Sequence, residues 1–149
     1  MKRYLWILIV ALVACKNSGG ISNAQLGTLK GSGSNLSIKT PVTKLARVPG
    51  NLGEIDKAFG ICFDYANGSS LGKMRIVMHT PAPLTTVRLP GGEHPKPNQV
   101  ILDVPSLSGS GTHCQDMYFD ADDPLGTWTF DLERDGKSLQ HWNLEVTAT

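Results

Sequence analysis

Charge is what this chain has little of for its length. Only 18 % of its 149 residues are Asp, Glu, Lys or Arg, and 14 basic against 13 acidic side chains leave a formal net charge of +1. A surface this balanced lacks the cationic excess that neutralises phosphates, so nucleic acid is not an expected partner. Cysteine is also scarce, with three residues and no pair at C-x-x-C spacing, which argues against a zinc site built on thiolates. The four histidines, His79, His94, His113 and His141, form no H-x-H, H-x-x-x-H or H-E-x-x-H pair. A metal site would have to converge from separate strands and loops, and neither a metal nor another cofactor is expected. There is no G-x-S-x-G elbow, and the serines gather in SLSGSG, Ser106 to Gly111, which reads as a flexible loop. No catalytic residue is assigned, and the chain is not expected to be an enzyme. No window holds a helical period of useful length, and no apolar run reaches the roughly 20 residues of a membrane-spanning helix.

What is present starts at the N-terminus. Lys2 and Arg3 precede an apolar run from Leu5 to Val13, and the small residue Ala14 stands before Cys15. That order is a secretory signal over residues 1–14. The segment LVAC resembles the bacterial lipoprotein box, which implies that Cys15 receives a diacylglyceryl group and becomes the first residue of the mature chain. The competing reading is an ordinary cleaved signal with Cys15 left as a free thiol, a liability in an oxidising compartment. Two or three acyl chains anchor stably where one exchanges off the membrane. Lys16 after the anchor points to the outer membrane. The protein is therefore expected to be lipid-anchored in the cell envelope with its domain facing the periplasm.

Residues 15–36 are rich in Gly, Ser and Asn and read as a lipidated N-terminus and tether. Residues 37–149 form the predicted domain. Short extended segments separated by Pro and Gly (LSIKT, KAFGICFDYA, KMRIVMHT, TTVRL, QVILDVP, CQDMYFDA, GTWTFDLER and QHWNLEVTA) predict seven or eight strands and an all-β, immunoglobulin-like antiparallel β-sandwich. A helical turn fits around Glu54 to Lys57. With Cys15 given to lipid, Cys62 and Cys114 remain and are expected to be bonded. In FGICFDY and HCQDMYF the apolar set alternates with the cysteine, so the bridge should lie on the outer face and staple neighbouring strands of one sheet. Lys16 to Val100 holds ten basic and four acidic residues, and Ile101 to Thr149 two and nine. In an antiparallel fold the halves interleave, and cross-strand charge pairing is the expected result. For the last hairpin, a three-residue loop Arg134-Asp135-Gly136 pairs Trp128 with Trp142 and puts both on the core face. A two-residue loop is rejected because Trp142 would point outward.

Three stretches, ARVPGNLGEIDKAFGICF, IVMHTPAP with PGG downstream, and YFDADDPLGTWTFDLERDGKSLQHWNLEV, resemble in that order an uncharacterised family of exported bacterial domains of unknown function. The residues that carry the resemblance are Arg47, Pro49, Leu52 and Gly53, then His79 and Pro81, then Phe119, Asp120, Gly126, Thr127, Trp128 and Phe130. Leu125 stands where the family pattern has Pro, Thr80 separates His79 from Pro81, and the cysteine pair is not part of the pattern. The resemblance implies an exported β-sandwich and supplies no activity.

Two segments remain as candidates for contact with other molecules. Asp120, Asp122 and Asp123 in FDADDPLG lack the EF-hand spacing for calcium and read better as a polar turn into the final hairpin. The loop LPGGEHPKPNQ, Leu89 to Gln99, carries Glu93, His94 and Lys96 and is a candidate partner-binding loop. The leading expectation is a membrane-anchored binding or structural module with a protein partner in the envelope, as an accessory subunit of an envelope complex. The alternatives are a surface-displayed host-contact or exclusion lipoprotein and a periplasmic metal-binding or hydrolytic protein.

Overall fold

The structure is a computed structural model that describes residues 20–84 and 92–149. The signal segment 1–14, Cys15 and the predicted TTVRL strand lie outside the described residues. Ten strands run in chain order: β1 Ile21–Lys30, β2 Ser37–Pro41, β3 Lys44–Ala46, β4 Phe59–Tyr65, β5 Met74–His79, β6 Glu93–Lys96, β7 Gln99–Asp103, β8 Gly111–Met117, β9 Gly126–Arg134 and β10 Lys137–Thr147. They form a four-stranded sheet in the order β2-β1-β4-β8 and a six-stranded sheet in the order β3-β10-β9-β5-β7-β6. The expected turn near Glu54 is a 3-10 turn over Ile55–Lys57.

Alternation decides which side chains meet between the sheets. On β4, Phe59, Ile61 and Phe63 enter the core with Leu26 from β1 and Met117 from β8, and the facing sheet supplies Ile76, Met78, Val100, Leu102, Trp128, Phe130, Leu132, Leu144 and Val146. An aromatic column runs through the layer: Phe59 stacks on Phe119 at 4.4 Å, and Phe119 meets Trp128 edge-on at 5.4 Å. Such pairs each contribute about 1 kcal/mol beyond the area they bury. One flank is closed by the chain itself, since β2 ends the first sheet and β3, two residues on, runs parallel to β10 at the edge of the second.

The tether assignment is corrected by β1. Ile21, Leu26 and Leu29 are buried, and the strand pairs with both β2 and β4. A strand is held by its backbone hydrogen bonds, which Ser, Asn and Gly supply as well as Val does, so composition concealed an interior strand. Residues Ile21–Lys30 are therefore part of the sandwich, ahead of the expected start at residue 37.

The register of the last hairpin is also corrected. Arg134 pairs with Lys137 across a two-residue Asp135-Gly136 turn, and Phe130, not Trp128, lies opposite Trp142. Asp135 and Gly136 both have positive φ, at 49° and 80°, as a type I′ turn requires. The parity objection is met by a bulge between Ser138 and Gln140, which inserts Leu139 and returns Trp142 to the core side. The two tryptophans do share that face, Trp128 buried and Trp142 packed at its margin.

Charge pairing across strands is as expected. Arg75 on β5 meets Glu133 on β9 at 3.3 Å, and Lys73 meets Asp103 at 3.6 Å, each joining a cation of the first part of the chain to a carboxylate of the second.

Candidate interaction surfaces

Cys62 and Cys114 face each other on β4 and β8 and are disulfide-bonded. The bridge lies on the outer face of the first sheet, as the alternation implied, and it is covered there. Leu29, Ala58 and Tyr118, with Ile38 and Ile55 at the margin, form a second small cluster around it that leaves Cys62 only 4 % exposed. The carbonyl oxygen of Leu36 lies 3.2 Å from the Cys114 sulfur. The oxidised sulfur has no proton to donate, so this contact is packing.

At the end of the sandwich where β1 terminates, segments 47–53 and 118–128 fold onto one another. The Arg47 guanidinium donates to the carbonyl of Asp123, Pro49 bridges to Phe119, and the Gly50 N–H donates to the Phe119 carbonyl at 3.1 Å. The Gly53 N–H donates to the Tyr118 hydroxyl at 3.0 Å from a backbone at φ 93°, which only glycine adopts without strain. The Asp120 N–H donates to the Asp123 carboxylate at 2.7 Å, and the Trp128 indole N–H to the Pro124 carbonyl at 2.8 Å. These residues form a hydrogen-bonded corner, and the aspartates belong to its turn. The same corner segments carry the large apolar side chains left exposed among the described residues: Val48 at 41 %, Leu52 at 70 % and Leu125 at 44 %. Sequence reading did not assign them as contact residues, although an apolar residue beside a Pro-Gly-Asn or Asp-Pro turn has no alternation partner to bury it.

Glu93, His94 and Lys96 are not on a loop. They lie on β6, a fully exposed edge strand that turns back into β7 through Pro97 and Asn98. Pro95 and the charged residues around it suit an edge that must not recruit another strand. The three side chains remain accessible.

The histidines are dispersed. Gln99 donates to His79 Nε2 at 3.1 Å, His94 is on β6, and His113 packs against Phe63 with ring centroids 5.4 Å apart. Burial pushes the His113 pKa below the ordinary imidazole value, and its Nε2 is buried without a hydrogen-bond partner. His141 goes the other way: hydrogen bonding to Asp131, 3.0 Å from Nδ1, raises its pKa, and Asn143 Oδ1 lies 3.1 Å from Nε2. Ser138 donates to the same Asp131 oxygen at 2.9 Å rather than to the imidazole, so this trio gives no activated hydroxyl. No group of three or more His, Cys, Asp or Glu side chains that could hold a metal occurs among the described residues.

Shallow cavities open on the surface among the described residues. One of about 210 Å³ is lined by Gly68, Leu71, Lys73, Met74, Val104 and Leu107 at the end where the chain enters β1. Another of about 270 Å³ lies where β2 crosses to β3, between Leu26, Val42 and Trp142. Both are smaller than the roughly 300 Å³ at which drug-sized ligand sites begin.

The second sheet pairs β3 parallel to β10 and its other neighbours antiparallel, and the two-sheet arrangement as a whole is similar to a solved structure. An immunoglobulin-like protein from Pseudomonas aeruginosa superposes with a TM-score of 0.61 at 15 % identity, covering 87 % of this chain and 98 % of that one. The fold is immunoglobulin-like. No protein-family model matches the chain, and no curated protein matches it. The immunoglobulin-like domain thus offers a rigid corner with exposed apolar side chains at one end, loops with exposed cations at the other, and a charged edge strand between them.

Proposed function

We propose that the protein is a membrane-anchored lipoprotein of the outer membrane whose immunoglobulin-like domain is a binding module facing the periplasm, an accessory subunit of an envelope complex. The lipoprotein box at Cys15 and the exported character of the family it resembles support the anchor. The observation that carries the reading is the position of β1: its first residue, Ile21, stands six positions after Cys15. An anchor so close keeps the domain at the bilayer and raises its effective concentration for any partner in that layer. Val48, Leu52 and Leu125, held on a hydrogen-bonded corner, are the contact residues this reading favours, and Glu93, His94 and Lys96 on the edge strand β6 are separate polar candidates. Apolar side chains on a rigid support bind with little ordering cost.

Intact mass of the purified protein, membrane fractionation and in-cell crosslinking of wild type against Cys15→Ser test the reading. Expected are an acylated mass, a membrane-bound wild type and an envelope protein captured only when Cys15 is present. An unmodified Cys15 together with a soluble variant that keeps every partner overturns it.

A further inference from the structure

The two ends of the sandwich differ in a way that fixes which of them meets the membrane. The entry end is well defined: the Ala66 N–H donates to the Gly20 carbonyl, Ile21 pairs with Tyr65 and Tyr65 with Gly111, the Gly68 N–H donates to Gly109, and the Lys73 N–H donates to Asp135. The loops 66–73 and 104–110 and the turn 134–137 therefore sit together around the start of β1. From Cys15 to Gly20 the chain can span at most about 18 Å even when fully extended. The far corner, at the other end of a ten-residue strand, is about 30 Å farther along. An anchor of that length cannot let the far end reach the headgroups while the entry end stays in solvent.

Composition agrees with the constraint. Loops 66–73 and 104–110 hold no carboxylate, and their exposed residues are mostly Gly, Ser and Asn, with Ala66, Lys73 and Pro105. Lys73 and Lys137 are exposed and Arg134 is half-buried at the same end, balanced by Asp64 beside Tyr65, Asp135 in the turn and Asp103, whose pairing with Lys73 at 3.6 Å is open to solvent. An exposed pair of that kind is weak and exchanges for other anions. The opposite corner, residues 47–57 and 118–125, has Glu54, Asp56, Asp120, Asp122 and Asp123 against Arg47 and Lys57, an acidic excess, and the exposed Val48, Leu52 and Leu125 are all at that end.

We infer that the entry end, residues 66–73, 104–110 and 134–137, is a membrane-apposed surface that rests on anionic lipid headgroups through Lys73, Arg134 and Lys137. The inference rests on acylation of Cys15. It deepens the proposed function by holding the apolar corner away from the bilayer, where a partner can reach it. Among the described residues, none of the large exposed apolar side chains is at the entry end, so the contact is with headgroups and does not insert.

The full acylated chain in vesicles of phosphatidylethanolamine and phosphatidylglycerol, doped with a gadolinium-carrying headgroup lipid, tests this by amide proton relaxation. Relaxation should rise several-fold more at 66–73, 104–110 and 134–137 than at 47–53 and 119–125. The Lys73→Glu, Lys137→Glu double variant, with an unchanged acyl mass, should lose most of that difference. Equal relaxation at the two ends, or a larger effect at 47–53, overturns the inference while leaving the anchor intact. A double variant that behaves as wild type overturns the role of anionic lipid. A chain whose mass shows no acyl group overturns the anchor and the inference together.

Discussion

His113 has a buried ring beside Phe63 and a Nε2 with no hydrogen-bond partner, so the folded state holds it neutral more firmly than the unfolded chain does. Its pKa is depressed on folding. Between the ordinary value near 6.5 and the lower folded value the unfolded chain binds more protons, and stability falls as pH drops through that window. His141 has the opposite sign, because its folded pKa is raised by Asp131. Its contribution is present below about pH 6.5 and fades as pH rises through the folded value. Its exposure keeps that contribution small. Thermal midpoints from pH 7 to 5 should therefore decline more steeply for wild type than for His113→Phe, and His141→Asn should lose its deficit relative to wild type as pH rises. A His113→Phe profile parallel to wild type would refute the first assignment. Neither direction was legible in the sequence, where all four histidines look alike. Phe63 opposite His113 and Asp131 opposite His141 are facts of register.

At the scale of elements, the disulfide and the last hairpin make contrasting cases. Cys62 and Cys114, 52 positions apart, close a long loop, and in the chain-entropy model removing the bridge costs about 4 kcal/mol. Cys62→Ala with Cys114→Ala should lower the urea midpoint accordingly. The wild-type bridge should also resist reductant until denaturant opens the cluster of Leu29, Ala58 and Tyr118 over it. The pair could be read from the cysteine count once Cys15 is given to lipid, and its outward face from alternation, because each cysteine sits between members of an apolar set. The hairpin turn could not be read in the same way. Its register depends on Leu139, an extra residue in β10 that returns Trp142, Leu144 and Val146 to the core. Deleting Leu139 should send all three outward, with a loss of several kcal/mol and of the cooperative unfolding transition; Leu139→Ala, which keeps the bulge, should cost about 1 kcal/mol. Circular dichroism melts of the two variants separate a role in register from a role in packing.

For the molecule as a whole, the decisive feature is polarity between ends. One end receives the chain six positions after Cys15; the other carries the corner built by Arg47, Gly53, Tyr118 and Trp128, with Val48, Leu52 and Leu125 outside it. Replacing those three by serine should leave the thermal midpoint within a few degrees of wild type, since exposed side chains contribute little to the fold. The same variant should fail to capture the crosslinked envelope partner. Capture undiminished by the triple change would move the contact elsewhere, with β6 and its Glu93, His94 and Lys96 next to be replaced.

By itself the sequence determined the all-β class, the sandwich, the bonded cysteines and the faces of β4, β8, β9 and β10. These follow from period-two alternation and from Pro and Gly punctuation, which act locally along the chain. Only the tertiary structure decided that ISNAQLGTLK is an interior strand, that Leu139 sets the final register and that EHPK is an edge. Each of these depends on which backbone lies alongside, and a neighbouring strand's hydrogen bonds leave no mark on the composition of the segment they hold. The same holds for the corner: Arg47 and Asp123 are 76 positions apart, and only the packed sandwich brings the one to the other.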